Sequence, residues 1–235
     1  MNRKKIARDV FLRKFQLERS YRPSVLLKHP DWNYTNFLAL VVAHVLRSRP
    51  NLTFLQVGAF DGLHNDALSP IAQAYGLRGI IVEPQPGAFE RLKACYAGQP
   101  QIALVNAAIA NENGMRDFYT RTGQASPLAS FSREHLLKHK VPPDQIVCQQ
   151  VRCCTLVSLL KEHGFDRLDL LQIDAEGYDY EVIRTIDFSA IRPAIIRFEH
   201  VHLSSTDANA CVELLASQGY RFIVERRDLI ALIEH

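Results

Sequence analysis

Tyr220-Arg221-Phe222-Ile223-Val224-Glu225, then Arg226-Arg227-Asp228, then Leu229-Ile230-Ala231-Leu232-Ile233: this closing stretch decides the fold. Two runs rich in aromatic and aliphatic residues read as strands, and only a short polar turn separates them. No crossover helix fits in that turn, so the two strands must be antiparallel. Upstream the pattern is different. From residue 52 onward, short β-branched runs alternate with amphipathic helical stretches, the signature of a parallel sheet with right-handed crossovers. The expected architecture is therefore a mostly parallel sheet, covered by helices on both faces and closed by an antiparallel strand.

Working backward and forward from that ending places the elements. Strands are expected at Leu52–Val57, Gly79–Val82, Ile102–Asn106, Leu168–Ile173, Ala194–Phe198 and Arg221–Val224. Helices are expected near Asp66–Tyr75 and at Gly87–Tyr96, Thr155–His163, Tyr178–Ile186 and Asp207–Gln218. Residues 114–150 break the rhythm as an insertion: Met115–Thr120 reads as a short extra strand, Ser132–His139 as a helix, and Pro142-Pro143 begins a loop. The insertion stands where a substrate-facing flap could be built, and a plain surface excursion explains it equally well.

The amino-terminal part has another character. Residues 1–28 carry nine basic and two acidic residues, a charge of +7, so the remainder of this +3 chain carries −4. Ile6, Val10, Phe11, Lys14 and Leu17 fall at helical spacing within residues 3–19, and Asn33–Leu46 reads as a second helix. Residues 1–48 are thus expected as a basic helical extension or cap, and residues 49–235 as the main domain. A basic arm on a mildly acidic body could touch a membrane surface or an anionic substrate. It lacks an aromatic platform or a recognisable nucleic-acid motif, so no nucleic-acid partner is expected. No apolar run approaches the roughly 20 residues of a membrane span, and no signal peptide is evident. The five cysteines are odd in number and contain no CxxC pair, which disfavours a structural zinc site and points to a reducing, cytoplasmic location.

The chemistry-bearing residues fall where such a sheet would present them, at the carboxyl ends of its strands. Gln56-Val57-Gly58-Ala59-Phe60-Asp61-Gly62 ends the first strand, with small residues that let the backbone turn and approach a ligand. It is not GxGxxG, which speaks against a nicotinamide enzyme. Glu83 ends the second strand, twenty-one residues after Gly62, where a carboxylate can accept hydrogen bonds from both ribose hydroxyls of an adenosine. Pro84 follows it. Asn106-Ala107-Ala108 ends the third strand, with room for an adenine ring and an amide to read its edge. Asp174 follows the fourth strand, with Glu176 two residues on, and Glu199 and His200 end the fifth; Asp174, Glu199 and His200 are the candidate catalytic groups. Asp174, Glu199 and His200 could also assemble a Mg²⁺ site, but hard oxygen ligands are few there and the metal stays unassigned.

Taken together, these residues resemble the FkbM family of methyltransferases. The resemblance rests on Val57-Gly58-Ala59-Phe60-Asp61-Gly62, Val82-Glu83-Pro84, Asn106-Ala107-Ala108-Ile109, Ile173-Asp174-Ala175-Glu176-Gly177, Ile196-Arg197-Phe198-Glu199-His200 and Asp228-Leu229-Ile230-Ala231. It covers about residues 51–233. It implies a Rossmann-like class I fold, of which the antiparallel closing hairpin is the mark, and S-adenosyl-L-methionine as cofactor. It also implies O-methylation of a hydroxyl on a sugar, glycan or natural product. The cofactor-binding set it implies includes Gly58, Asp61, Gly62, Glu83 and Asp174, to which the loop reading adds Gln56, Ala59, Phe60, Pro84, Asn106, Ala107 and Ala108. Ser126-Pro127-Leu128-Ala129-Ser130-Phe131 resembles the family's serine-rich segment. Two residues depart from its pattern: Gln56, where the family often has an acid, and Phe60, where it often has asparagine. A bulky residue at Phe60 is costly if the turn needs positive φ. A binding module that has kept the fold, and a nucleotide-dependent oxidoreductase, are the competing readings.

Overall fold

A computed structural model describes residues 36–63, 66–225 and 227–233; the helix expected at residues 3–19 lies outside them. In chain order the elements are α1 (Phe37–Leu46), β1 (Thr53–Val57), α2 (Ser69–Tyr75), β2 (Arg78–Val82), α3 (Pro86–Cys95), β3 (Ile102–Val105), β4 (Ala108–Ile109), β5 (Gly114–Arg121) and α4 (Arg133–Lys138). After a 3₁₀ turn at Pro143–Gln145 come β6 (Ile146–Cys154), α5 (Leu156–Glu162), β7 (Leu170–Ile173), α6 (Asp179–Arg184), β8 (Ile195–Glu199), α7 (Ser205–Ser217), β9 (Arg221–Val224) and β10 (Asp228–Leu232).

Seven strands form the main sheet in the order β3-β2-β1-β7-β8-β10-β9. The first five are parallel to their neighbours, and β10 runs antiparallel to both β8 and β9, pairing Leu229 with Val224 across the closing hairpin. This is the expected Rossmann-like sheet with its antiparallel closing strand. The central strands read as continuous apolar runs because helices cover both faces: every residue of β1 and β7 is buried. The order reverses between β1 and β7, and their carboxyl ends diverge there into a crevice.

Local chemistry sets the helix boundaries. Pro86 opens α3, where a missing N–H costs nothing, and Gly76 closes α2 in the left-handed conformation. Thr155 and Ser204 cap α5 and α7 by accepting the N–H groups of Ser158 and Asp207. At the opposite edge of the sheet, the fully buried Asp169 accepts from Thr53 N (2.9 Å) and Oγ1 (3.0 Å) and from Arg49 Nη1 (2.7 Å). Leu38 and Val42 of α1 belong to the same apolar core as the sheet, and the compact unit begins at Phe37.

The insertion holds more order than expected. Cys153 and Cys154, read from the sequence as strand residues, end a nine-residue strand, Ile146–Cys154, its first part expected as the continuation of a loop after Pro142-Pro143. β6 pairs antiparallel with β5 along eight positions and parallel with β4, giving a second, three-stranded sheet. Its burial is patchy, with Val147, Cys148, Gln150 and Arg152 exposed, so its apolar alternation is faint. Cys153 and Cys154 lie buried at its end, and the cysteines are free thiols.

Candidate functional site

A cavity of about 680 Å³ opens where β1 and β7 part, at the carboxyl edge of the sheet. Its lining includes Gln56, Gly58, Ala59, Phe60, Glu83, Pro84, Ala107, Ala108, Asp174 and Glu199 of the expected set. Asp61, Gly62, Asn106 and His200 lie outside the lining. Asp61 is buried and accepts from Leu63 N (3.1 Å), which shapes the turn. A β-carbon at Gly62 would stand 2.9 Å from Leu92 and 3.0 Å from Tyr96, so this glycine lets the loop close against α3. Asn106 donates to the carbonyls of Glu83 (2.7 Å) and Pro84 (3.1 Å), bracing the loop after β2.

The floor of the cavity is a close backbone approach. Gly58 has φ +76°, and Asp174 O lies so near that a β-carbon there would sit 1.9 Å from it. Asp174 N donates to Val57 O at 2.9 Å, which locks the two loops together. Phe60 does adopt positive φ (50°), the conformation costly for a bulky residue. Its N–H donates to Glu83 Oε2 (2.9 Å), and the Arg91 guanidinium lies 5.1 Å from its ring. These contacts hold the strained turn.

Glu83 is fixed from both sides. Oε2 accepts from Phe60 N, and Oε1 accepts from Gln85 N at 2.8 Å. Oε1 accepts in addition from Gln85 Nε2 (3.3 Å), whereas Oε2 keeps a second lone pair for a ligand hydroxyl. Burial drives its pKa up to about 7, against the pull of those backbone donors. Asp174 is driven further, to about 8, first by burial and then by the nearby carboxylates of Asp179, Glu199, Glu176 and Asp228. Asp179, fully buried at the start of α6, accepts from Ala175 N (3.3 Å) and Glu199 N (3.1 Å), and so joins the loops after β7 and β8.

Several cavity residues carried no functional reading in the sequence. Gln85 lines the cavity and ties the insertion to the sheet: its Oε1 accepts from Thr120 Oγ1 (3.0 Å) and Ser126 N (2.8 Å), and its Nε2 donates to Ser126 O (2.9 Å). Asp66 sits 2.9 Å from Gln56 Nε2, so a carboxylate stands at the corner where residue 56 itself offers none. Arg197 and Arg227 reach the rim, Arg197 bonding Asp228 (2.7 Å) and Arg227 bonding Glu199 Oε1 (2.8 Å). Only their proximity to Glu199 in sequence or hairpin register hinted at them. The imidazole beside Glu199 belongs to His202, at 3.2 Å, and not to His200, whose Nε2 is buried without a hydrogen-bond partner among the described residues. Among the described residues Asp174, Glu199 and His200 do not converge on a common point; Glu199 converges instead with Glu176 and His202.

The residues present suit an adenosine-bearing, cationic cofactor. Glu83 offers the free lone pair of Oε2 to a ribose hydroxyl. Asp174 Oδ1, Gln56 Oε1 and Gln172 Oε1 are buried at the cavity with no hydrogen-bond partner among the described residues, and such acceptors are costly to bury unless a ligand donor meets them. The small side chains of Ala107 and Ala108 leave space for a flat ring.

This sheet order is that of the Rossmann-like class I methyltransferases, the class whose cofactor is S-adenosyl-L-methionine. The family model described as the methyltransferase FkbM domain matches residues 56–222, and the chain belongs to that family. Among solved structures, the chain is similar to an FkbM methyltransferase from Methylobacillus flagellatus KT, at 12% identity and a TM-score of 0.51. That alignment covers 77% of this chain and 43% of the other, so the chain spans less than half the length of that relative. It also aligns with an O-methyltransferase from Bacillus cereus, solved in complex with SAH, at 12% identity, a TM-score of 0.45 and 97% coverage of each chain. No curated protein matches.

Proposed function

We propose that this protein methylates a hydroxyl oxygen of a sugar, glycan or natural product. The observation that carries the reading is a pair of carboxylates facing one cavity across the β1–β7 crevice: Glu83, buried and held by two backbone N–H groups, and Asp174, half-buried on a loop whose backbone is tied to Val57. The sulfonium of S-adenosylmethionine supplies an activated methyl group, so the protein's task is mainly alignment. Glu83 receives a ribose hydroxyl, and Ala107 and Ala108 flank the adenine. Asn106 holds the strand end that shapes this niche. Gln56, backed by Asp66, receives the ammonium of the methionine portion.

On the acceptor side, Glu199 orients the incoming hydroxyl, and Arg227 and Asp179 keep it in place. Asp174 in its ionised form would take the hydroxyl proton as the carbon–oxygen bond forms and the methyl–sulfur bond breaks, with S-adenosylhomocysteine as leaving group; a carboxyl with a pKa of about 8 is a far better base than an ordinary aspartate. Arg197 and Arg227 at the rim favour acceptors rich in oxygen. A cytoplasmic location is part of this reading and rests on the irregular set of free cysteines.

Two measurements test it. Calorimetry should find micromolar binding of S-adenosylmethionine and S-adenosylhomocysteine, at least tenfold weaker in Glu83→Ala. S-adenosylhomocysteine release should then be followed over a panel of sugars and hydroxylated natural products. Asp174→Asn should still bind S-adenosylhomocysteine and lose about 10² or more in turnover. Full turnover in that variant would remove Asp174 from the mechanism. Cofactor binding with no acceptor turned over across the panel would favour a binding module.

A further inference from the structure

Beyond the cavity wall formed by Glu176, three imidazoles meet. His135 lies on α4 and His139 follows it one turn later, so the two share a helix face. His202 enters from the loop after β8. Ring centroids are 4.6 Å apart for His135 and His139, 4.8 Å for His139 and His202, and 5.0 Å for His135 and His202. One ring nitrogen from each lies within 4.8 Å of the other two.

Their surroundings suit a cation. Glu176 Oε2 stands 2.9 Å from His135 Nε2 and 3.5 Å from His202 Nε2, and Glu199 Oε2 stands 3.2 Å from the latter. A carboxylate behind an imidazole orients it and strengthens it as a donor to metal. Arg227 Nη2 lies 3.0 Å from His202 Nε2, and the same guanidinium is bonded to Glu199 Oε1 at 2.8 Å.

We propose that His135, His139 and His202 form a site for one divalent transition-metal ion of the zinc, cobalt or nickel class. Three imidazoles with no thiolate match that class, whereas magnesium and calcium take oxygen. Metal–nitrogen bonds of about 2.0–2.1 Å require the nitrogens to close in by roughly an ångström, which the exposed His139 can supply by turning. His139 also opens the site to solvent, leaving a position for water. The bound ion ties the insertion helix α4 to the loop after β8, across the segment that carries Glu176.

The test uses the tag-free full chain, stripped by chelator and titrated with Co²⁺. One equivalent should bind with the visible d–d absorption of nitrogen-ligated cobalt, and Zn²⁺ should displace it. His139→Ala, a surface change that leaves the fold intact, should abolish the band and weaken zinc binding at least tenfold, and His202→Ala should do the same. Absence of the band in the parent chain, or an undiminished band in His139→Ala, would overturn the proposal. No acceptor or cofactor enters the measurement, so its outcome is separate from that of the methyl-transfer reading.

Discussion

A β-carbon at Gly58 would lie 1.9 Å from a backbone oxygen, whereas one at Gly98, also at positive φ (+86°), meets nothing within 4 Å. The two positions separate conformational cost from collision. Gly98→Ala should cost only about 1 kcal/mol, the ordinary penalty of a left-handed alanine. Gly58→Ala must also push the loops after β1 and β7 apart, and should cost well above 2 kcal/mol in urea unfolding and abolish cofactor binding. The glycine was legible in the sequence; the reason for it was not, because Asp174 is 116 positions away in the chain. The raised pKa values of Glu83 and Asp174 carry a second prediction. A ligand with ribose donors and a positive sulfonium favours both ionised forms, so binding at pH 7 releases protons and affinity climbs from pH 6 to 8. Calorimetry in buffers of different ionisation enthalpy measures the release. S-adenosylhomocysteine, lacking the sulfonium charge, should release fewer, and equal release from the two ligands would separate Asp174 from the sulfonium.

At the scale of elements, the strands buried on both faces announced themselves, and β6 did not. A strand lying half in solvent needs no continuous apolar run, and Gln149, Gln150 and Arg152 dilute its β-branched residues. Ile146, Val147 and Val151 were the available signal, overshadowed by Pro142-Pro143. The same distance effect hid Gln85, whose partners Thr120 and Ser126 lie 35 and 41 residues downstream. This one amide joins the start of α3 to the insertion, so removing it leaves buried donors and a buried carbonyl unmatched. Gln85→Ala should destabilise the protein by about 2–3 kcal/mol. It should also expose residues 121–132 to limited proteolysis while the main sheet survives. Cleavage no faster than in the parent would mean that β5–β6 pairing alone secures the insertion. Similarly, His202 rather than His200 faces Glu199 because the chain turns after β8, and period-two counting along a strand does not carry past its end.

For the whole molecule, the site sets a slope in stability against pH. Glu83, Asp174 and Asp179 are held at about 7, 8 and 7, each mainly by burial, whereas in the unfolded chain they ionise near 4. Between those limits the folded state binds more protons than the unfolded state, so unfolding free energy falls as pH rises from about 4 to 8. His139 acts oppositely: its lowered pKa means that the unfolded chain takes up its proton first as pH drops below about 6.5, which erodes stability there. Three carboxyls outweigh one exposed imidazole, so across pH 5 to 8 the thermal midpoint of the ligand-free protein should be highest at pH 5 and decline toward pH 8. S-adenosylmethionine reverses the decline because it stabilises the ionised carboxylates, and its contribution grows with the ratio of free ligand to Kd. Thermal scans from pH 5 to 8, with and without ligand, should therefore diverge toward alkaline pH. Asp174→Asn, which cannot ionise, should flatten the ligand-free slope and narrow the divergence. A variant whose slope matches the parent would show that Asp174 ionises as freely in the folded protein as in the unfolded chain, and its part as proton acceptor would fall with that result.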